Sequence, residues 1–204
     1  MSVYFFCAGL WLTGLLGGFV ALLNFENTPG AAAQSPGEWP SDCKMARTPG
    51  RFTLVMAAHP RCPCTLVSID EMAKVVERST MPVDVRVLFF KPAGSDWAPT
   101  NHWRRAVAIP GAQAIWDEDG AQAARFGAHT SGHVLLFDPD GKLLFSGGVT
   151  RGRGHAGPSR GNWSLTQWLA PGEAGVAEAP VYGCSLNDPQ SLCIKGNKAC
   201  QHRQ

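Results

Sequence analysis

The sequence predicts an α/β sandwich built on a central mixed β-sheet flanked by helices. Three observations predict it. Short apolar, β-branched runs alternate with segments of helical spacing through the first two thirds of the chain. A late pair of apolar runs flanks a turn sequence, which makes an antiparallel hairpin. A last helical segment then follows the hairpin, so the order β-α-β-(α-β)-α-β-β-α mixes parallel and antiparallel pairing. At 204 residues the chain is long enough for one domain with a proper core plus appendages.

Residues 52–57 (FTLVMA) read as a buried strand. Ile69, Met72, Val75 and Val76 fall at helical spacing within 68–78, and Ser68 with Glu71 makes a capping-box pattern at the start, although the helix could begin earlier, at Cys64 or Thr65. Residues 83–90 (VDVRVLFF) read as a second strand, 91–101 as a loop, 102–108 as a short helix, 113–116 as a short strand and 121–126 as a helix broken by Gly127. HVLLFDPDGKLLFSGG carries Pro139 and Gly141 in favoured turn places between two strands. Residues 162–170 form the final helix, ended by Pro171.

Residues 3–23 carry no charge and are mostly apolar, a length that spans a bilayer. The run reads as a transmembrane signal anchor over residues 1–23. A signal peptide cut after Ala31-Ala32-Ala33 competes with that reading, and a core helix is disfavoured because the segment is apolar on all sides. Residues 24–44, rich in Pro, Gly, Ala and Ser, read as a linker, 45–170 as the folded domain, and 171–204 as an irregular tail containing Cys184, Cys193 and Cys200. Seven cysteines in a chain with an exporting segment point to an oxidising compartment: a single-pass protein of a bacterial inner membrane with its soluble part in the periplasm.

The net charge of +2 and the absence of a basic helix, zinc-finger spacing or aromatic-basic strand pattern exclude an evident nucleic-acid role. The charge is uneven. Residues 141–172 hold Lys142, Arg151, Arg153 and Arg160 and no acidic residue, so one surface region is positive. The loop GGVTRGRGHAGPSRG reads either as an anion-binding or acidic-partner site or as a solvated loop, with His155 a surface histidine. Trp97, Trp103, Trp116, Trp163 and Trp168 read as packing residues.

The chemistry concentrates in HPRCPCT, residues 59–65. Two cysteines, Cys62 and Cys64, stand one residue apart at the junction between a strand and a helix. A helix N-terminus, the adjacent Arg61 and His59 would each favour thiolate character. Cys62 is the expected nucleophile and Cys64 its partner, though the roles could be reversed. A disulfide between them closes a small ring, which favours an oxidising pair. Two other readings remain: small buried cysteines without chemistry, and a copper(I) site of His59, Cys62 and Cys64, with His129 or His133 as a distant histidine ligand. In the tail, the spacing of Cys184, Cys193, Cys200 and His202 is not that of a zinc ribbon. A Cys193–Cys200 disulfide is the simpler expectation, with Cys43 as a long-range partner.

The strand–cysteine–helix unit followed by a late hairpin resembles the thioredoxin fold. HPRCPCT, FGAHTSGHVLLF, LLFSGGVTRGRGH and VYGCSL together resemble RedB-like proteins of the thioredoxin-like (TlpA- and peroxiredoxin-related) superfamily, over most of residues 52–186. The resemblance implies thiol–disulfide exchange with protein thiols at the end of the first strand, with no cofactor. It assigns Ser131 and Gly132 as backbone contacts for a substrate strand, and leaves Cys184 available as a resolving cysteine. Three departures stand out: CxC replaces CxxC, Gly132 falls where the family carries a cis-proline, and Met56 replaces the buried carboxylate six residues before Cys62. Thr65 follows the cysteines and His59 stands before them, which argues against peroxidase chemistry.

Overall fold

The computed structural model describes residues 2–31 and 34–186. A long helix, α1 (Ser2–Asn27), precedes β1 (Phe52–Ala58), α2 (Pro63–Arg78), β2 (Val83–Lys91), α3 (Asn101–Val107), β3 (Ala112–Glu118), α4 (Ala121–Arg125), β4 (His133–Phe137), β5 (Leu143–Gly148) and α5 (Arg160–Trp168). The five strands form one sheet in the order β3-β2-β1-β4-β5. β1–β2 and β2–β3 pair in parallel; β1–β4 and β4–β5 pair antiparallel. This is the thioredoxin-like arrangement.

β1 is central, which explains its unbroken apolar run. A strand buried on both faces has no solvent side to mark with polar residues. Leu54 and Met56 pack under α2, α3 and α5 with Met72, Val75, Ala106 and Leu165. Val55 and Ala57 face the other layer, with Leu88, Phe126, Leu135 and Phe137. Each of the larger of these side chains contributes about 1.5–3 kcal/mol by leaving water, and each alanine less.

α2 begins at Pro63, not at Ser68. Cys62 is its N-cap in extended backbone and Pro63 sits at the first helical position, where the missing N–H costs nothing. Ser68 is interior and its hydroxyl donates to the Cys64 carbonyl at 3.3 Å. Glu71 is no capping residue either. It is buried, and its carboxylate accepts from Lys74 Nζ at 2.7 Å, Asn162 Nδ2 at 3.1 Å and the Gly157 amide at 3.2 Å, so it ties α2 to α5 and to the loop before it.

α1 is long and apolar enough to cross a membrane, and its side chains are exposed. The segment read as a linker lies against the sheet rather than hanging free. Trp39 stacks edge-on against Phe126 and Phe137, each at 5.1 Å, and the Leu143 amide donates to Gly37 O at 2.8 Å. The tail also follows the sheet: Ser146 bridges to Glu178, and Gly147 and Gly148 lie so close to Ala179, Pro180 and Val181 that a Cβ at either would collide with backbone. The Cys193–Cys200 expectation and His202 lie outside the described residues. Cys43 is a free thiol beside Gln122 Oε1 at 3.7 Å. Of the tryptophans read as packing residues, Trp163 is 54% exposed.

Asp117 supplies a local test. Its buried carboxylate caps α4 by accepting from the amides of Gln122 (2.7 Å) and Ala123 (2.8 Å). Asp117→Ala leaves both donors without a partner and should cost about 1–3 kcal/mol. Urea unfolding should show a lower midpoint at unchanged slope; an unchanged midpoint contradicts the assignment.

Candidate functional site

β1 ends at Ala58 and delivers residues 59–62 to the N-terminus of α2. The His59 amide donates to Ser131 Oγ at 2.7 Å, which fixes this turn to the segment before β4. The His59 ring stacks on Phe90 at 5.6 Å and its Nδ1 accepts from the Arg61 amide at 3.2 Å. Arg61 turns its guanidinium onto the Trp97 ring, 4.0 Å from the centroid.

The tail completes the site. Thr130 and Ser185 form an antiparallel bridge, with the Ser131 amide donating to Cys184 O at 2.8 Å and the Leu186 amide to His129 O at 3.0 Å. Leu186 is 2% exposed and anchors the segment in the core. Gly183 is required here, because a Cβ would run into the Ser131 carbonyl. The backbone edge expected to receive a substrate strand is thus occupied by the chain's own residues 184–186. Gly132 beside it has φ +90°, open to glycine, and donates its amide to Ala57 O at 2.8 Å.

This pairing sets Cys184 Sγ 2.7 Å from Cys62 Sγ. With Cys64, the three sulfurs all lie within 4.8 Å of one another. Cys62 is buried, and Cys64 and Cys184 are half-buried. Burial opposes ionisation of Cys62, but hydrogen-bond donors of Cys184 and Thr65 outweigh it and lower its pKa below the ordinary thiol value of 9.0. Burial raises the Cys64 pKa, and the neighbouring Cys62 raises it further. Cys184 is pushed up to about 12 by burial, then by donating its proton to Cys62 and by the charge there. The cation acting on Cys64 and Cys184 is Arg153, which lowers both. Its Nη1 donates to Gly183 O.

Sequence reasoning missed two neighbours. His102 Nε2 lies 3.0 Å from Cys62 O, and Arg153 arrives from a loop 91 positions away from Cys62. Neither has a local signal: only the helical spacing of α3 and the positive stretch 141–172 pointed near them. Of the histidines considered as ligands, His133 is buried with Nε2 2.8 Å from Ser146 Oγ, and burial, with His129 nearby, lowers its pKa to about 4. Among the described residues the metal-type cluster contains the three cysteines and no histidine.

The linkage follows from the directions. Because the Cys62 pKa is depressed in the fold, its ionisation stabilises the reduced protein above the ordinary thiol range, and that contribution is lost as pH falls through the folded value. Thiolate absorbance of the fully reduced chain should therefore rise in separated steps, the first below the ordinary thiol range and abolished by Cys62→Ser. A single step in the ordinary range, unchanged in Cys62→Ser, contradicts the assignment.

No protein-family model matches the chain, and no curated protein matches it significantly. Solved structures do. A hypothetical protein from Sinorhizobium meliloti matches at TM-score 0.51 and 18% identity, over 67% of this chain and 79% of that one. An uncharacterised conserved protein from Geobacillus kaustophilus matches at TM-score 0.50 and 20% identity, over 80% and 94%. A secreted Mycobacterium tuberculosis disulfide oxidoreductase homologous to Escherichia coli DsbE matches at TM-score 0.37 and 14% identity, over 47% and 67%. At these identities the likeness is one of fold: a mixed five-stranded sheet with flanking helices, of the thioredoxin-like kind.

Proposed function

We propose that the protein is a membrane-anchored thiol–disulfide oxidoreductase of RedB-like type, in which Cys62 is the exchanging sulfur and Cys184 and Cys64 are its partners. The observation that carries this reading is the 2.7 Å approach of Cys184 Sγ to Cys62 Sγ, with Cys64 in the same cluster. Support also comes from the contact between HPRCPCT and VYGCSL, two of the four pieces on which the RedB-like resemblance rests. Residues 1–23 form the single-pass anchor in a bacterial inner membrane, 45–170 the thioredoxin-like domain in the periplasm, and 171–204 the tail.

In the reductive direction, the Cys62 thiolate attacks one sulfur of a partner disulfide. A mixed disulfide forms, and the partner's other sulfur leaves as a thiolate that takes up a proton. Cys184 then gives up its proton and attacks the Cys62 sulfur, which closes the internal disulfide and releases the second partner thiol. Two protein thiols become one disulfide while one partner disulfide becomes two thiols, and the steps run equally in reverse. Cys64 is the third thiol, able to take the place of Cys184. His59, bonded to Ser131 and stacked on Phe90, holds the turn that presents Cys62; Arg61 on Trp97 walls one side of it. Ser131 holds the segment that carries Cys184 through its amide, and Gly132 ties the same edge to Ala57.

The three-sulfur cluster also favours one other reading. Three soft thiolates suit copper(I), with Cys184 in the place expected of a histidine.

One assay separates the two. The full chain in detergent should reduce insulin disulfides, and Cys62→Ser should lower the rate by at least about a hundredfold, as loss of a covalent nucleophile does. Cys184→Ser should accumulate a mixed disulfide on Cys62. Undiminished activity in Cys62→Ser overturns the exchange reading. Stoichiometric copper(I) retained by a chain inactive on insulin favours the metal reading.

A further inference from the structure

The last turn of α1 rests on the same loop that holds the reactive tail. The Arg153 amide donates to Glu26 O at 3.0 Å, its Nε to Phe25 O at 3.1 Å, and its guanidinium lies 4.8 Å from the Phe25 ring centroid. Those carbonyls belong to the end of the helix, where unpaired C=O groups and the dipole favour a cation. The Nη1 of the same guanidinium donates to Gly183 O. Cys184 is the next residue, one Cα step of about 3.8 Å further on. One side chain therefore spans from the end of the apolar helix to the thiol cluster. Slack is removed a second time where the Gly30 amide donates to Val181 O at 2.8 Å.

The surface around this junction has the chemistry of a bilayer contact. Arg151 and Arg160 are exposed, with no ion pair among the described residues. Trp163, one turn after Arg160 on α5 and so on the same face, is 54% exposed. Among the described residues outside α1, the exposed large hydrophobics are Trp163 and Val107. Exposed Trp beside Arg is the pairing found at headgroup level, where the indole is half-solvated and each arginine gains from anionic phosphate. Three acidic groups stand near: Glu26, 3.8 Å from His155; Glu178, which lines a cleft with Arg160; and the buried Glu71, taken up by Lys74, Gly157 and Asn162. Among the described residues none of them pairs with Arg151.

We infer that Arg151, Arg160 and Trp163 form a contact surface for an anionic phospholipid bilayer, which holds the thiol cluster at the membrane surface. This rests on the reading of α1 as a membrane span. It narrows the substrate class of the proposed exchange to proteins that present a cysteine or disulfide close to the bilayer. The helix geometry agrees. Twenty-five residues rise about 38 Å, longer than a hydrocarbon core of about 30 Å, so Phe25 emerges into the headgroup layer.

The test uses the full chain in vesicles, with a coumarin amino acid at one position at a time and lipids carrying a nitroxide on the headgroup. Ser185 probes the thiol edge, Ala156 the loop, and Asp140 the far end of the sheet. In anionic vesicles, quenching at Ser185 and Ala156 should exceed that at Asp140 by at least about fivefold, since the far end lies beyond the headgroup layer. Arg151→Gln with Arg160→Gln should bring both values down to those seen in zwitterionic vesicles. Equal quenching at all three positions overturns the inference and leaves the Arg–Trp surface for a protein partner. A probe at Leu15 with chain-labelled lipids separates the two levels of failure: no quenching there overturns the membrane span itself. Strong quenching at Leu15 with equal values elsewhere overturns only the surface contact.

Discussion

The site depends on one short stretch of backbone pairing. Residues 129–131 and 184–186 form an antiparallel pair held by two amide–carbonyl bonds, and Leu186 locks its far end into the core. Remove that pair and Cys62 is a capping residue at the start of a helix, with only Cys64 of its own turn beside it. Gly183 in VYGC makes this pairing sterically feasible, and the two glycines of FSGG let residues 179–181 lie along β5 on the way to it. Gly147, Gly148 and Gly183 each stand where a side chain would meet backbone. Cys62, the proposed exchanging sulfur, is covered by its own chain.

That covering explains the electrostatics. Burial alone would raise every thiol in the cluster. Cys62 alone escapes, because Cys184 and Thr65 point donors at it, while Cys184 and Cys64 are raised further by the charge Cys62 carries. The cluster therefore holds one thiol that ionises below the ordinary range and two that ionise above it, the ordering that the proposed exchange needs. Arg153 opposes the rise at the other two, so the loop tunes the site from outside the motif.

Most of the fold was legible in the sequence. The apolar run of β1, the periodicity of α2 and the DPDG turn are local signals, and each element appeared within a few residues of its expected bounds. The start of α2 was less clear, because Ser68 and Glu71 imitate a capping box while the true boundary lies in Cys62-Pro63. Glu71 misleads for a physical reason: its carboxylate is used by tertiary partners on α5 and the loop before it. The site was half legible. Cys62 and Cys64 announced themselves, and Cys184 was noticed as an available partner. The means of bringing Cys184 to Cys62 was not visible, since an irregular segment that pairs through backbone alone leaves no periodicity. Arg61 reads as a tuning cation because it is adjacent in sequence; in space its guanidinium lies over Trp97, and Arg153 acts on Cys64 and Cys184. Trp163 read as a core residue by type, and its exposure follows from the orientation of α5, which no local pattern reveals.

The central claim is that Cys62 and Cys184 are exchange partners. It is tested most directly by mapping the disulfides of the full chain taken from its native membrane, with free thiols blocked at lysis and the peptides identified by mass. The account predicts a Cys62–Cys184 bridge with Cys64 alkylated. A bridge confined to Cys62 and Cys64, or Cys184 found wholly reduced while Cys62 is oxidised, would contradict it.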